Sequence, residues 1–192
     1  VTQPLSSSQT WDGVYYVTGG DFTIPAGVTL TLNPGTLILI DGTSTPLSQN
    51  GIDIDVAGAL NSLGTAERPV TITAANPYAP WGEIHHLGGA STYQYTDITR
   101  AGHSPYSGHT NKGPAIRVDG ATVTFDHTSI TDIAGKTMYA NGGTLVFRNC
   151  LFSRSVMGPE IFTTAFLFED SHIIEMLGIY REDGVTDDDD NC

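Results

Sequence analysis

Three short stretches set the register of this chain: Phe125–Ile130 reads FDHTSI, Phe147–Phe152 reads FRNCLF and Phe168–Ile173 reads FEDSHI. They start 22 and 21 residues apart, and the same register meets YQYTDI at Tyr93–Ile98, 32 residues before the first. Self-similarity at a fixed period of this size signals stacked supersecondary units. Glycines repeat the signal, with Gly35, Gly58, Gly89, Gly120 and Gly142 separated by 23, 31, 31 and 22 residues.

Each long spacing contains an insertion, NPYAPW at Asn76–Trp81 and HSPYSGHTNKG at His103–Gly113, and without them the period stays close to 22. One turn of a right-handed parallel β-helix takes that many residues, because three short strands and their turns must close a triangular cross-section. The expectation is an all-β solenoid, a parallel β-helix of about six turns stacked about 4.8 Å apart, with two insertion loops at one corner. Its segments are expected to be an N-terminal cap or edge over residues 1–20, the coil over 21–178 and an acidic end over 179–192.

The register assigns roles. Tyr93, Phe125, Phe147 and Phe168 form an inward aromatic column, and Ile98, Ile130, Phe152 and Ile173 an aliphatic one five residues on. Thr96, Thr128, Cys150 and Ser171 form a small inward column, which makes Cys150 a buried thiol rather than the partner of Cys192. Outward, Gln94, Asp126, Arg148 and Glu169 fall in line, as do Arg100, Asp132, Arg154 and Glu175. Parallel in-register strands set equivalent side chains opposite one another, so charges of alternating sign pair from rung to rung.

Composition agrees with strands. The chain has 192 residues, 22 of them glycine, and few of the residues that favour helices. Its 8 basic residues against 21 acidic ones argue against nucleic acid, whose phosphates need a basic surface. No apolar run approaches the roughly 20 residues that span a bilayer. Opening on Val1, the sequence is expected to be a processed or excised segment.

The N-terminal half, with DFTIPAGVTLTLNPGTLILI from Asp21, GTAERPVTIT from Gly64 and WGEI from Trp81, resembles secreted bacterial β-helix proteins. That resemblance spans about Asp21 to Leu177 and implies an extracellular surface protein, in a group that holds adhesins and polysaccharide-active enzymes alike. The end of the chain, REDGVTDDDDNC, carries Asp183, Asp187, Asp188 and Asp190 before Cys192. It resembles the opening of a thrombospondin type 3 repeat, which implies that these aspartates bind calcium, that the cysteine pairs with one in a following repeat, and that the parent protein continues.

Candidate sites stand beside plainer readings. The two insertions bring Tyr78, Trp81, His103, Tyr106, His109 and Lys112 to one edge, a set suited to holding a sugar ring; alternatively the loops pack on themselves and cover a flank. His85 and His86 with Glu83 invite a metal reading, yet neighbours on a strand point to opposite faces, so only His85 and Glu83 can share a side. For catalysis, the outward acids mostly sit in the charge ladders, no cluster of unpaired acids is expected on adjacent rungs, and no Ser-His-Asp or Cys-His signature is found. The leading expectation is a non-enzymatic structural or adhesive module binding calcium, joined to further domains or to copies of itself in end-to-end fibres. The alternative is a carbohydrate-binding or polysaccharide-cleaving protein.

Overall fold

A computed structural model describes residues 1, 4–42, 51–104 and 113–176 of the chain. Every element among them is a strand. In chain order these are β1 (Gln9–Trp11), β2 (Val14–Val17), β3 (Phe22–Ile24), β4 (Thr29–Leu32), β5 (Leu37–Ile40), β6 (Ile54–Val56), β7 (Ala59–Leu63), β8 (Val70–Ala74), β9 (Ile84–His86) and β10 (Ala90–Gln94). There follow β11 (Thr96–Thr99), β12 (Pro114–Asp119), β13 (Thr122–Asp126), β14 (Ser129–Asn141), β15 (Thr144–Arg148), β16 (Leu151–Met157), β17 (Glu160–Phe162), β18 (Ala165–Glu169) and β19 (His172–Met176).

All pairings are parallel, and they define two sheets around one core. The first runs β1-β4-β7-β10-β13-β15-β18. The second holds two further walls, β2-β5-β8-β11 leading into β14 and β12-β9-β6-β3 leading out of it, with β16, β17 and β19 attached at its far end. Each circuit of the chain thus lays one strand on the first wall, one on the second and one on the third, and the next circuit pairs beside it.

The expected columns are found in register. Tyr93 faces Phe125, Phe125 faces Phe147 and Phe147 faces Phe168. Their rings stack at 4.8 and 5.1 Å for the first two pairs. Ile98, Ile130, Phe152 and Ile173 align likewise. Burying such a side chain contributes roughly 1.5–3 kcal/mol, and all but the last rung's members are buried. In the small column the Thr128 hydroxyl donates to the Tyr93 carbonyl, the Cys150 amide donates to the Ser171 hydroxyl, and Cys150 is a buried free thiol.

The charge columns have a backbone cause. Arg100, Asp132, Arg154 and Glu175 all have left-handed backbones, with φ between 52° and 59°. Left-handed non-glycine residues are uncommon because Cβ crowds the following carbonyl. A bend repeated at the same place on these four circuits puts the four side chains in one stack. Arg154 then donates to both oxygens of Asp132 at 2.6 and 2.8 Å and lies 4.0 Å from Glu175, and Arg148 donates to Glu169 at 3.1 Å. The Arg154 hydrogen bonds hold the Asp132 carboxyl below its usual range.

Two details differ from the sequence reading. The corner between the second and third walls carries three insertions, because 41–53 between β5 and β6 opens there as well as 75–83 and 100–113. The pairing Thr29 with Ala59 shows it, since a rung of 30 residues replaces the expected 22. Gly35 does not belong with the other glycines: it turns the chain between β4 and β5, beside the Arg68 guanidinium. Gly58 and Gly89 do stack at the corner before the first wall, where an added Cβ would collide with the carbonyls of Val28 and Gly58; Gly120 and Gly142 stack on each other one residue earlier, and it is Gly143 whose Cβ would collide with the Ala121 carbonyl.

At the start of the chain, β1 and β2, within the expected N-terminal cap or edge, pair in register with β4 and β5. The preceding residues close the end of the coil: the Leu5 amide donates to the Thr23 carbonyl, the Thr18 amide to the Val1 carbonyl, and Leu5 and Trp11 are buried over the first rung.

Candidate functional site

The third wall carries the densest polar chemistry of the described residues. Along its outward row, Thr23, Asp55, His85, Arg117, Tyr139 and Glu160 stand opposite one another on six successive rungs. Two residues earlier on the first three of those rungs stand Asp21, Asp53 and Glu83. Acids outside the charge ladders therefore cluster on adjacent rungs, which corrects the expectation that none do.

The backbone locks this second row. The Asp53 amide donates to Asp21 Oδ1 at 2.9 Å, and the Glu83 amide donates to Asp53 Oδ1 at 2.9 Å. Each carboxylate thus caps the next rung at the mouth of an insertion. Glu83 is 2% exposed, and its Oε1 lies 2.7 Å from Arg117 Nε. His85 sits between two acids, with Nε2 2.7 Å from Asp119 and Nδ1 3.7 Å from Asp55.

Crowding and burial disfavour so much negative charge. Burial pushes the Asp53 carboxyl up to about 7, with Asp21 and Asp55 adding repulsion, and pushes Glu83 up to about 8 against the pull of Arg117. Asp55 is raised as well, again by burial first. Glu83 is raised further than Asp53 in spite of Arg117, so it is the carboxyl that keeps a proton more readily near neutral pH. A protonated acid beside an ionised one is the raw material of general acid catalysis. Glu83 is nevertheless shielded from solvent, whereas Asp21 is exposed and Asp53, Asp55, His85 and Asp119 are half-buried.

The two histidines diverge as strand geometry requires. His86 points inward, fully buried, with Nε2 2.9 Å from the Tyr93 hydroxyl. Burial holds its pKa down to about 3 and raises that of Tyr93. His85 and Glu83 share the outer face but bond to different partners, and among the described residues no group of three His, Cys, Asp or Glu is arranged to hold a metal ion.

The sugar-holding corner is divided. Tyr78 is 87% exposed, whereas Trp81 is 0% exposed and its Nε1 donates to the Thr99 carbonyl at 2.9 Å. His103 is buried, its amide donating to the Trp81 carbonyl. Trp81 and His103 therefore pack inward, because the corner must fill the space between stacked insertion mouths, and they do not line a surface with Tyr78. Tyr106, His109 and Lys112 lie outside the described residues, as do Asp183, Asp187, Asp188, Asp190 and Cys192.

A shallow groove that the sequence did not point to runs along the bend between the first and second walls, with a volume of about 370 Å³. Tyr95 and His127, both left-handed, stack there at 4.5 Å, and Asp97, Ser129 and Asn149 complete the lining. The Ser129 hydroxyl donates to Asp97, and His127 to Asp126 at 2.8 Å.

No protein-family model matches the chain, and neither a curated protein nor a solved structure does. The acidic row had a readable signature all the same. Asp53-Ile-Asp-Val-Ala-Gly58, Glu83-Ile-His-His-Leu-Gly88, Ala115-Ile-Arg-Val-Asp-Gly120 and Thr137-Met-Tyr-Ala-Asn-Gly142 are one motif, with apolar residues at the second position and glycine at the sixth. Asp21-Phe-Thr-Ile opens the same way. Aligned on it, the acids fall into column without any assumption of a constant period.

Proposed function

We propose that the chain is a right-handed parallel β-helix that serves as a non-enzymatic structural or adhesive module of an extracellular protein. The observation that carries this reading is that the coil's outward charges are used between rungs. Arg154 bridges Asp132 and Glu175, Arg148 meets Glu169, Arg117 meets Glu83, and His85 lies between Asp55 and Asp119. Such ladders stiffen the stack of strands and, among the described residues, leave few outward charges for chemistry. Calcium belongs to the proposal through Asp183, Asp187, Asp188 and Asp190, whose closely spaced carboxylates suit a hard cation.

The test is a pair of assays on the whole chain. Reducing-sugar release from neutral and acidic polysaccharides is expected to be nil, and calorimetric titration with calcium is expected to show binding that the four Asp→Asn changes remove. Cleavage of any polysaccharide would overturn the non-enzymatic reading, and absence of calcium binding would remove the calcium part.

One observation favours a second reading, a polysaccharide-cleaving coil. Asp53 and Glu83 form a carboxyl pair with raised pKa values on adjacent rungs. In that case cleavage would be seen and both Asp53→Asn and Glu83→Gln would abolish it without unfolding the chain. Burial of Glu83 beneath the wall is the reason the structural reading is preferred.

A further inference from the structure

On the outer face of the first wall, side chains fall into ranks two residues apart along each strand. In the central rank Thr10, Thr31, Asn61, Thr92 and Thr124 stand opposite one another on successive rungs, and Val146 and Leu167 continue it. In the rank before it Thr29 faces Ala59, and Ala90, Thr122, Thr144 and Ala165 align in the same way. All of these residues are exposed or half-buried. Neither rank holds a charged or an aromatic side chain, in a chain of net charge -13. The charges of this wall lie in a third rank at its edge, with Asp126, Arg148 and Glu169.

The order of the two ranks is two-dimensional. One register runs through the seven strands of the sheet, so the side chains repeat about 4.8 Å apart from rung to rung and about 6.6 Å apart along a strand. Threonine is stiff about χ1, so its hydroxyl and methyl are held in place before anything binds. Among the described residues, the hydroxyls of Thr10, Thr31, Thr92 and Thr124 make no side-chain hydrogen bond, whereas on the second wall the hydroxyls of Thr73 and Thr99 bond to each other at 2.8 Å. The three insertions open at the corner between the second and third walls, across the core from this face. To the acidic stretch after Met176 the uncharged ranks offer no opposite charge, and covering them would cost its carboxylates their water.

An evenly spaced, uncharged array of hydroxyls and methyls suits a surface that itself repeats in two directions and is built of hydrogen-bonding oxygens. Both repeats lie close to those between oxygens on the prism face of ordinary ice. We propose that the outer face of the first wall, centred on Thr31, Asn61, Thr92 and Thr124, binds the surface of crystalline water. The hydroxyls hold waters at lattice positions, and the methyls and alanines between them keep waters in cages. A charged group there would orient a hydration shell of its own. Crystalline polysaccharide is the poorer match, because sugar rings stack on aromatic side chains and neither rank has one. The site rests on the register of the first wall, and not on calcium binding or on whether the module is structural or enzymatic.

Growing ice is the probe. A single ice crystal is grown slowly in a solution of the whole chain, and protein is measured in the ice and in the remaining liquid. The chain is expected to be enriched in the ice relative to a control protein, and to facet crystals held just below their melting point. A Thr92→Lys/Thr124→Lys chain, its fold checked by circular dichroism, is expected to lose both effects, as is the single Ala90→Lys at an exposed position. Tyr16→Lys, at an exposed position of the second wall, is expected to keep both. Exclusion of the whole chain from ice, capture retained by the folded lysine variants of the first wall, or capture lost equally in Tyr16→Lys would overturn the proposal. So would co-sedimentation with crystalline cellulose or chitin that the first-wall variants lose, which would give the face to a polysaccharide, or dimers in sedimentation that the same variants dissolve.

Discussion

Replacing Asp53 by asparagine is expected to change how stability depends on pH. The Asp53 carboxyl titrates near 7 in the folded chain, against 3.8 for a free one, because burial and the neighbouring Asp21 and Asp55 disfavour its charge. A carboxyl with a raised folded pKa binds more protons when folded, so its stabilising effect is complete below about pH 4 and is lost as pH rises through 7. One pH unit in that window is worth about 1.4 kcal/mol, so between pH 5 and 8 this one group removes about 3 kcal/mol of stability. Asparagine is the same shape, its Oδ1 can accept the Glu83 amide now held at 2.9 Å, and it cannot ionise. The variant should match the parent below about pH 4, and its advantage should grow by about 3 kcal/mol between pH 5 and pH 8. Urea unfolding, followed by fluorescence of the buried Trp11 and Trp81, measures this directly. Parallel stability-against-pH curves for the two proteins would refute the placement of Asp53 in a buried acidic row.

Other outcomes follow from the same geometry. Phe125→Ala should cost about 3–5 kcal/mol in denaturant unfolding, as expected for a fully buried ring, and Phe168→Ala, at a ring 37% exposed, markedly less. Arg154→Glu should lower the melting temperature more than Arg154→Ala, because it sets a third acid between Asp132 and Glu175; equal effects would mean the ladder is idle. In a Cys192→Ser background, Cys150 should react with a thiol reagent only on addition of denaturant, since burial raises its pKa and its column is closed. His86→Leu should remove the loss of stability as pH falls from 6.5 toward 3, a window set by a buried neutral imidazole that the unfolded chain would protonate; unchanged acid sensitivity would argue against its burial.

The sequence was most legible where rungs have no insertion. From Phe125 onward the pairings step by 22 and 21 residues, so the aromatic and aliphatic columns could be read by counting, and the bends fell in the same count. Tyr93 joined them because its motif is strong enough to survive a 32-residue step. Earlier rungs were obscured by a coincidence: Gly35 and Gly58 are separated by nearly one period yet sit at different corners, which hid the insertion at 41–53. That error carried into the site. With the third wall out of register, Asp21, Asp53 and Glu83 looked like unrelated acids, and the row became visible only when strands were matched by their own motif. Burial of Trp81 and His103 was not legible either, because an aromatic in a proline-rich insertion reads as surface until the stacked mouths around it are seen.

The central claim is that each circuit lies one strand spacing above the last, in a single register, over the whole coil. Spin labels on outward positions of the first wall test it most directly, in a Cys150→Ser/Cys192→Ser background. Thr124 and Val146 are one rung apart, Thr92 and Val146 two, and Thr92 and Leu167 three. Electron paramagnetic resonance distances are predicted to rise in equal steps, about 5, 10 and 14 Å, from the spacing of parallel strands. Distances that do not increase in order, or a Thr124–Val146 pair beyond about 20 Å, more than four such spacings, would contradict the stacked register and with it the account of the module.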